Sequence, residues 1–233
     1  GARVEKIHQP ARDTLILLLR CAAGRQRLLI AANPTAPRLH LTGTNPENPD
    51  QPPMFCMLLR KHLSGGRLSR IEQPPMERLG RLTFPCTDEM GDQVERTLVA
   101  ELMGRTTNVY LLDAAGRILD CLRRVGLDDS AKRQALPGLY YQEPEPVVKR
   151  RPDGLTAEEA LALLTESGPD RLADRLLDTF GGLSPLVCRE AALFCLGDPD
   201  GRLEAADKPA AARRLAEYFQ TYLPVGQPYL LSQ

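Results

Sequence analysis

Apolar and polar residues follow two different periods along the chain. In the first part, short segments alternate apolar with polar side chains, as half-buried strands do. In the second part, leucine and alanine recur at helical spacing, which is typical of amphipathic helices. Between them, Gln142 to Pro152 is rich in proline and charge, as an extended linker is. The pattern predicts a β-rich domain at 1–145, an all-helical domain at 153–223 and a tail at 224–233, a candidate return strand.

The first part is predicted to form two packed antiparallel sheets, which gives the chain an α+β fold. Alternating segments lie at Val4–Gln9, Thr14–Cys21, Gln26–Ala32, Arg38–Thr42, 67–73, 77–84, 95–103, 108–113 and 117–124. Turn-forming residues separate most of these segments. About nine strands in succession favour antiparallel pairing and a β-sandwich.

One short helix interrupts these strands. A pair of prolines precedes Met54 and a pair of glycines follows Ser64, which are the residues that favour the beginning and the end of a helix. The last turn carries Arg60-Lys61-His62, where positive charge suits the carbonyl end of the helix dipole. The helix leads into the basic segments 67–73 and 77–84, which are predicted to form a hairpin.

Composition limits the classes of partner. Lys plus Arg and Asp plus Glu are both 30, so a nucleic-acid or membrane site must be a local patch. No segment is apolar for long enough to span a bilayer, and we expect no membrane partner.

The six cysteines have no CxxC spacing, which favours buried free thiols in a reducing cytoplasm. Because the chain opens on Gly1 in strand-like sequence, we expect a further element to precede it.

Signatures of catalysis are weak. The three histidines, His8, His40 and His62, are far apart and lack a metal-binding spacing. The sequence contains no nucleophile elbow, P-loop or dinucleotide fingerprint. We therefore expect a binding protein with no catalytic residues, cofactors or metal of its own.

A glycine turn in the helical part is one candidate for binding phosphate. Gly181, Gly182 and Ser184 lie between two predicted helices, where a helix-hairpin-helix motif directs backbone N–H groups at a phosphate. A tight corner between two helices, with Ser184 as the cap of the second, explains the same residues.

The basic hairpin and the turn at Arg105 are further candidates. The arginines of the hairpin are Arg67, Arg70, Arg78 and Arg81. Arginines on one face of a sheet suit a phosphate backbone, although a solvated sheet face explains them as well. Arg105 follows a glycine and precedes Thr-Thr-Asn, a polar set that ordinary turn chemistry also accounts for.

Four stretches resemble a known family. They are Val4–Pro10, Asn33-Pro34 with Arg38–Thr42, Pro53–Leu63 and Glu101–Asn108. They resemble the NFACT-N domain of the RqcH and NEMF family of ribosome quality-control proteins, whose bacterial members are often labelled fibronectin-binding protein A. The resemblance implies a β-sandwich like the N-terminal domain of formamidopyrimidine-DNA glycosylase, followed by a helix-hairpin-helix domain. The family's coiled coil and NFACT-R domain are missing, so we expect the chain to be a fragment.

The resemblance implies a function in the rescue of stalled ribosomes. Members of the family bind the large ribosomal subunit that carries a stalled nascent-chain peptidyl-tRNA and recruit alanyl-tRNA. They support template-free alanine tailing at the C-terminus of the nascent chain. The implied partners are therefore tRNA and the large ribosomal subunit, and the implied location is the cytoplasm.

The resemblance also implies site residues. The Asp-Arg motif of the family falls on Glu77-Arg78, so the arginine is kept and glutamate replaces aspartate. We expect Arg78 to contact a phosphate or nucleotide with Glu77 as its partner, and a structural ion pair between the two is the alternative. Arg105, Thr107 and Asn108 are the further residues that we expect in the tRNA-binding site.

Two other functional classes stay open from the sequence. An adhesin would bind fibronectin, but the free cysteines and the lack of a recognisable export signal weigh against it. A protein related to DNA glycosylases would bind damaged DNA. The proline nucleophile of those enzymes is not assignable in this sequence, and their zinc finger has no counterpart in it.

Overall fold

The structure is a computed structural model that describes residues 1–75, 77–130, 133–145 and 148–222. Contacts divide the chain into two compact units, Gly1–Pro144 and Glu145–Gln233. Each unit has an apolar core of its own. None of the helices in the described ranges is long and apolar enough to cross a membrane.

The first unit consists of two antiparallel sheets and one helix. Its elements are β1 (Ala2–Ala11), β2 (Thr14–Cys21), β3 (Gly24–Ala31), β4 (Arg38–Leu41), α1 (Met54–Leu63), β5 (Arg67–Leu68), β6 (Arg70–Glu72), β7 (Leu79–Thr87), β8 (Gln93–Glu101), β9 (Asn108–Leu112) and β10 (Ile118–Cys121). Sheet A has the order β4-β3-β2-β1-β5, and sheet B has the order β10-β9-β8-β7-β6. The predicted pair of antiparallel sheets and the predicted bounds of α1 are confirmed.

The core of the first unit lies between the two sheets. Leu15 and Leu17 of β2 pack in one cluster with Phe84 of β7 and Leu98 of β8. The helix α1 adds apolar side chains such as Leu59 to the same cluster, because its buried residues lie on one face.

The sequence predicted one strand at 67–73, and this prediction was wrong. Arg67-Leu68 pairs with β1 in sheet A, whereas Arg70–Glu72 pairs with β7 in sheet B. Ser69 lies between the two, where its N–H donates to the Thr83 carbonyl oxygen at 2.9 Å. The chain changes sheets at this point, so its basic residues are divided between the two sheets.

Strand β9 and the second half of β8 in sheet B are buried on both faces, which differs from the half-buried strands that alternation predicted. Leu98 and Ala100 of β8 face the core between the sheets, and Val99 belongs to a second cluster on the other face. The segment after β10 contributes Ala135 and Tyr141 to that second cluster. Glu101, which lies on the same face of β8 as Val99, is therefore enclosed.

The second unit is helical. It contains α2 (Ala157–Thr165), α3 (Leu172–Thr179), α4 (Pro185–Leu196), α5 (Lys208–Glu217) and a π-helical turn (Tyr218–Tyr222). The predicted capping box is present at the start of α2, where the side chains and backbone of Thr156 and Glu159 exchange hydrogen bonds. The predicted tail at 224–233 lies outside the described residues.

Candidate RNA-binding site

Arg78 and Arg105 lie at the same end of sheet B. β7 begins directly after Arg78 and β8 ends directly before Leu102, whose N–H donates to the Arg78 carbonyl oxygen at 2.8 Å. Arg105 belongs to the 3₁₀ turn Gly104–Thr106 that follows. Both arginine side chains are exposed. Antiparallel pairing thus brings together two predicted site residues that are distant in sequence.

Glu77 lies half-buried in the loop that leads into β7. Its carbonyl oxygen accepts a hydrogen bond from Gln73 Nε2 at 2.8 Å, and its N–H donates to the Pro74 carbonyl oxygen at 3.1 Å. These bonds brace the turn that presents Arg78 to solvent.

Arg123, which the sequence did not indicate, joins this group of arginines. It follows β10, and its Nη1 donates to the Arg105 carbonyl oxygen at 3.1 Å. Asn108 holds the backbone of Arg123 from the start of β9, since Nδ2 donates to the Arg123 carbonyl oxygen at 2.7 Å and Oδ1 accepts its N–H at 2.9 Å. Asn108 is 2% exposed and also accepts the Val109 N–H. Its amide is used within the protein, so Asn108 positions Arg123.

A cavity of about 350 Å³ opens beside these residues, between a turn of sheet A and the end of sheet B. It is lined by Arg12, Asp13, Ala32, Thr107, Leu122 and Arg123. Thr107 is only 1% exposed, and its Oγ1 has no hydrogen-bond partner among the described residues. A buried hydroxyl without a partner costs roughly 1–3 kcal/mol. Thr107 therefore lines the cavity with a side chain whose hydroxyl the fold itself leaves unpaired.

The charges around the cavity favour an anion. Arg12 and Arg123 contribute two guanidinium groups, and Asp13 contributes one carboxylate, which accepts a hydrogen bond from Thr14 Oγ1 at 3.1 Å. The turn that carries Arg12 is fixed, because the Ala32 N–H donates to the Asp13 carbonyl oxygen at 2.7 Å. Guanidinium groups present paired N–H donors that match phosphate oxygens.

The other arginines of the predicted hairpin are not part of this group. Arg67 is in sheet A, on β5. Arg70 is on β6 and forms an ion pair with Glu72 at 2.9 Å. Arg81 forms an ion pair with Glu143. Arg67 therefore lies in the other sheet, and acidic partners engage Arg70 and Arg81.

The glycine turn of the second unit connects α3 to α4, as predicted. The Gly181 N–H donates to the Arg150 carbonyl oxygen at 3.0 Å, so this amide is not available to a phosphate. Gly182 is exposed with φ +73°. Ser184 Oγ accepts the Val187 N–H at 3.2 Å and caps α4. The geometry is that of a capped corner between helices, and phosphate binding by this turn stays a prediction.

A buried polar cluster around Glu101 was not found by sequence reasoning. Glu101 is 0% exposed and accepts hydrogen bonds from Arg133 and, at 2.6 Å, from the Tyr141 hydroxyl. Burial and the neighbouring Glu101 carboxylate raise the pKa of Tyr110 to about 12. Burial and Glu101 also raise the pKa of Tyr141. This cluster attaches the segment after β10 to the outer face of sheet B.

Over the described ranges, histidine, cysteine, aspartate and glutamate form no group that is suited to a metal ion.

The sequence model of one protein family matches residues 1–226, and this family is described as NFACT N-terminal and middle domains. The chain belongs to the NFACT family. The β-rich first unit and the helical second unit are therefore parts of an NFACT protein.

Curated relatives of this NFACT chain are named RqcH. The "Rqc2 homolog RqcH" of Bacillus subtilis is 39% identical over 193 residues, which cover 82% of this chain and 34% of the relative. The "Rqc2 homolog RqcH" of Streptococcus pneumoniae strain D39 is 35% identical over 184 residues, which cover 78% of this chain and 33% of the relative. The chain thus spans about a third of the length of these two relatives.

Solved structures share the fold of this NFACT chain. The N-terminal domain of the fibronectin-binding protein PavA from Streptococcus pneumoniae superimposes with a TM-score of 0.74 at 33% identity, covering 82% of this chain and 71% of that domain. The N-terminal part of the fibronectin/fibrinogen-binding protein from Streptococcus suis gives a TM-score of 0.75 at 28% identity, covering 93% and 78%. The family that the sequence motifs indicated is therefore confirmed.

Proposed function

We propose that this NFACT chain binds tRNA and the large ribosomal subunit in ribosome quality control. In this function it recognises alanyl-tRNA beside a stalled peptidyl-tRNA and supports template-free alanine tailing in the cytoplasm. It acts by binding and positioning and has no covalent catalysis of its own. The helical unit contributes a helix-hairpin-helix contact. The membership of the family and the RqcH relatives support this proposal.

The observation that carries the proposal is the arginine-rich end of sheet B. Arg78, Arg105 and Arg123 are exposed there, and the cavity beside them is lined by Thr107, whose buried hydroxyl has no hydrogen-bond partner among the described residues. Most hydrogen bonds between proteins and nucleic acids go to phosphate and sugar oxygens, and arginine is a frequent donor. A tRNA backbone supplies both the negative charge and the hydrogen-bonding oxygens that this end of the sheet lacks.

Binding of alanine tRNA across a salt series tests the proposal. The 233-residue chain is compared with Arg78→Ala, with Arg105→Ala and with Arg189→Ala, a matched control that removes an exposed arginine paired with Asp200. We expect the first two variants to bind more weakly and to lower the slope of log affinity against log salt by about 0.7 to 0.9 each. The control variant is expected to match the wild type. Equal affinities for all four proteins would contradict the proposal.

Fibronectin binding is a second candidate because two solved relatives are named for it. Adhesion of the chain to immobilised fibronectin tests it directly. Saturable binding of fibronectin that neither Arg78→Ala nor added tRNA weakens would favour an adhesive surface that is separate from the arginine-rich end.

A further inference from the structure

Four arginines form a straight row across sheet A. Arg67 of β5 is paired with Arg3 of β1, Arg3 is also paired with Arg20 of β2, and Arg20 is paired with Arg25 of β3. Directly paired residues in antiparallel strands point to the same face of the sheet. All four side chains are exposed. With neighbouring strands about 4.8 Å apart, the row is roughly 14 Å long.

The next position along the same face adds further positive charge. Lys6 of β1 is paired with Leu18 of β2, which is paired with Arg27 of β3. The Nε of Arg27 is buried and has no hydrogen-bond partner among the described residues. A groove of about 480 Å³ runs beside the row and is lined in part by Arg3, Lys6 and Arg20.

Folding alone does not account for this row. Like charges that face each other across strands destabilise a sheet. Glu5 offsets part of the charge, because it forms ion pairs with Arg25 at 2.8 Å and with Arg20 at 3.5 Å. Arg3 and Arg67 form no ion pair with any residue that the structure describes. The guanidinium groups of Arg3 and Arg67, which are adjacent at this edge of sheet A, are therefore available to bind an external anion.

We propose that this row binds the phosphate backbone of double-helical RNA. A phosphodiester backbone is a regular array of anions, and each guanidinium can donate two parallel hydrogen bonds to a phosphate. None of the five strands of sheet A contains Phe, Tyr or Trp, so the face has no stacking platform for single-stranded bases. Protein interfaces depend on aromatic and apolar anchors, which the row also lacks.

The row is separate from the candidate site at the end of sheet B. Arg3 lies near the beginning of β1, and Arg12 follows its end. A strand of this length spans roughly 30 Å at about 3.3 Å per residue. We assign the duplex to ribosomal RNA, an assignment that rests on the proposed function, since tRNA is placed at the arginine-rich end of sheet B.

Binding of a blunt RNA duplex of about 16 base pairs, the length that a compact double-stranded RNA module covers, tests the proposal. The wild-type chain is compared with Arg3→Gln/Arg67→Gln and with a control, Arg70→Gln/Arg117→Gln. The control removes two exposed arginines away from sheet A, one on β6 paired with Glu72 and one directly before β10 stacked on Tyr140. We expect the first variant to weaken binding about tenfold and to lower the salt slope by roughly 1.5 to 2. Circular dichroism checks that both variants fold.

Three results would overturn the proposal. They are the absence of duplex binding by the wild type, equal losses in the two double variants, and a preference of the row for polyglutamate over RNA. Competition with alanine tRNA tests the assignment to ribosomal RNA. If tRNA displaces the duplex, and if Arg3→Gln/Arg67→Gln weakens the binding of tRNA as much as that of the duplex, the row binds tRNA instead. Failure of the proposed function would appear separately, as tRNA binding that does not depend on Arg78.

Discussion

The side chain of Asn108 bonds both backbone groups of Arg123, as a neighbouring strand would. Nδ2 lies 2.7 Å from the Arg123 carbonyl oxygen, and Oδ1 lies 2.9 Å from its nitrogen. The first residue of β9 thereby fixes the chain just beyond β10 and holds one wall of the cavity in place.

Asn108→Ala is expected to destabilise the first unit by about 2 to 3 kcal/mol, because it removes buried hydrogen bonds and leaves their backbone partners unpaired. Binding of tRNA should fall even at temperatures where the variant is folded, since Arg123 is no longer held. Urea unfolding followed by circular dichroism measures the first effect. Asn33→Ala is the control, because the Asn33 side chain also accepts two hydrogen bonds but is only half-buried. Equal losses in the two variants would contradict the role of Asn108.

Thr107→Val separates a binding role for the hydroxyl from a structural one. The change removes a buried hydroxyl without a partner, so the melting temperature should stay the same or rise. The affinity for tRNA should fall by about tenfold if the hydroxyl bonds a phosphate. Thr83→Val, at a buried position of β7 outside the cavity lining, is the control. Unchanged tRNA binding by Thr107→Val would remove Thr107 from the site.

Arg133→Met is expected to destabilise the first unit by about 3 kcal/mol, because the Glu101 carboxylate loses its cation while it stays buried. The double variant Glu101→Gln/Arg133→Met should recover much of this loss, since no buried charge is left without a partner. A double-mutant cycle of unfolding free energies measures the coupling. Additive effects would show that the two residues do not act as a pair.

Gly66→Ala is expected to destabilise the first unit by about 1 to 3 kcal/mol through overpacking. A Cβ at this position would lie 2.6 Å from Cys86 Sγ and 3.1 Å from the Leu63 carbonyl oxygen. Cys86→Ala should relieve only the contact with sulfur, so the double variant should be less destabilised than the sum of the two single variants. Thermal unfolding of all four proteins checks this, and strict additivity would argue against the steric cause.

The stability of the first unit should fall as the pH drops below 6.5, the ordinary pKa of histidine. Burial and the nearby Arg60 and Lys6 lower the pKa of His8, and burial with Arg96 and Lys61 lowers the pKa of His62. The unfolded chain therefore binds more protons between the lowered pKa values and 6.5, and protonation favours unfolding.

Proton NMR titration of the two histidine side chains, assigned with His8→Gln and His62→Gln, measures these pKa values. The double variant should show a weaker dependence of the urea midpoint on pH in the same range. A pKa at or above 6.5 for either histidine would contradict the expected direction for that residue.

Local patterns were sufficient for several elements of this protein. Prolines before Met54 and glycines after Ser64 delimited α1, and the structure has the helix at the same residues. Alternation gave the strands β1 and β2, and the capping box gave the start of α2. These signals succeed because a helix end or a strand face depends on residues close together in sequence.

The arrangement of those elements was decided by the tertiary structure. Their charge predicts that Arg67 and Arg70 face solvent. The local sequence does not specify the sheet to which each residue belongs, and the structure places them in different sheets. The alignment of Arg67 with Arg3 and Arg20 depends on the register of strand pairs, and the cavity beside Thr107 depends on a turn of sheet A meeting the end of sheet B. Register and sheet packing are contacts between residues far apart in sequence, which a local period cannot specify.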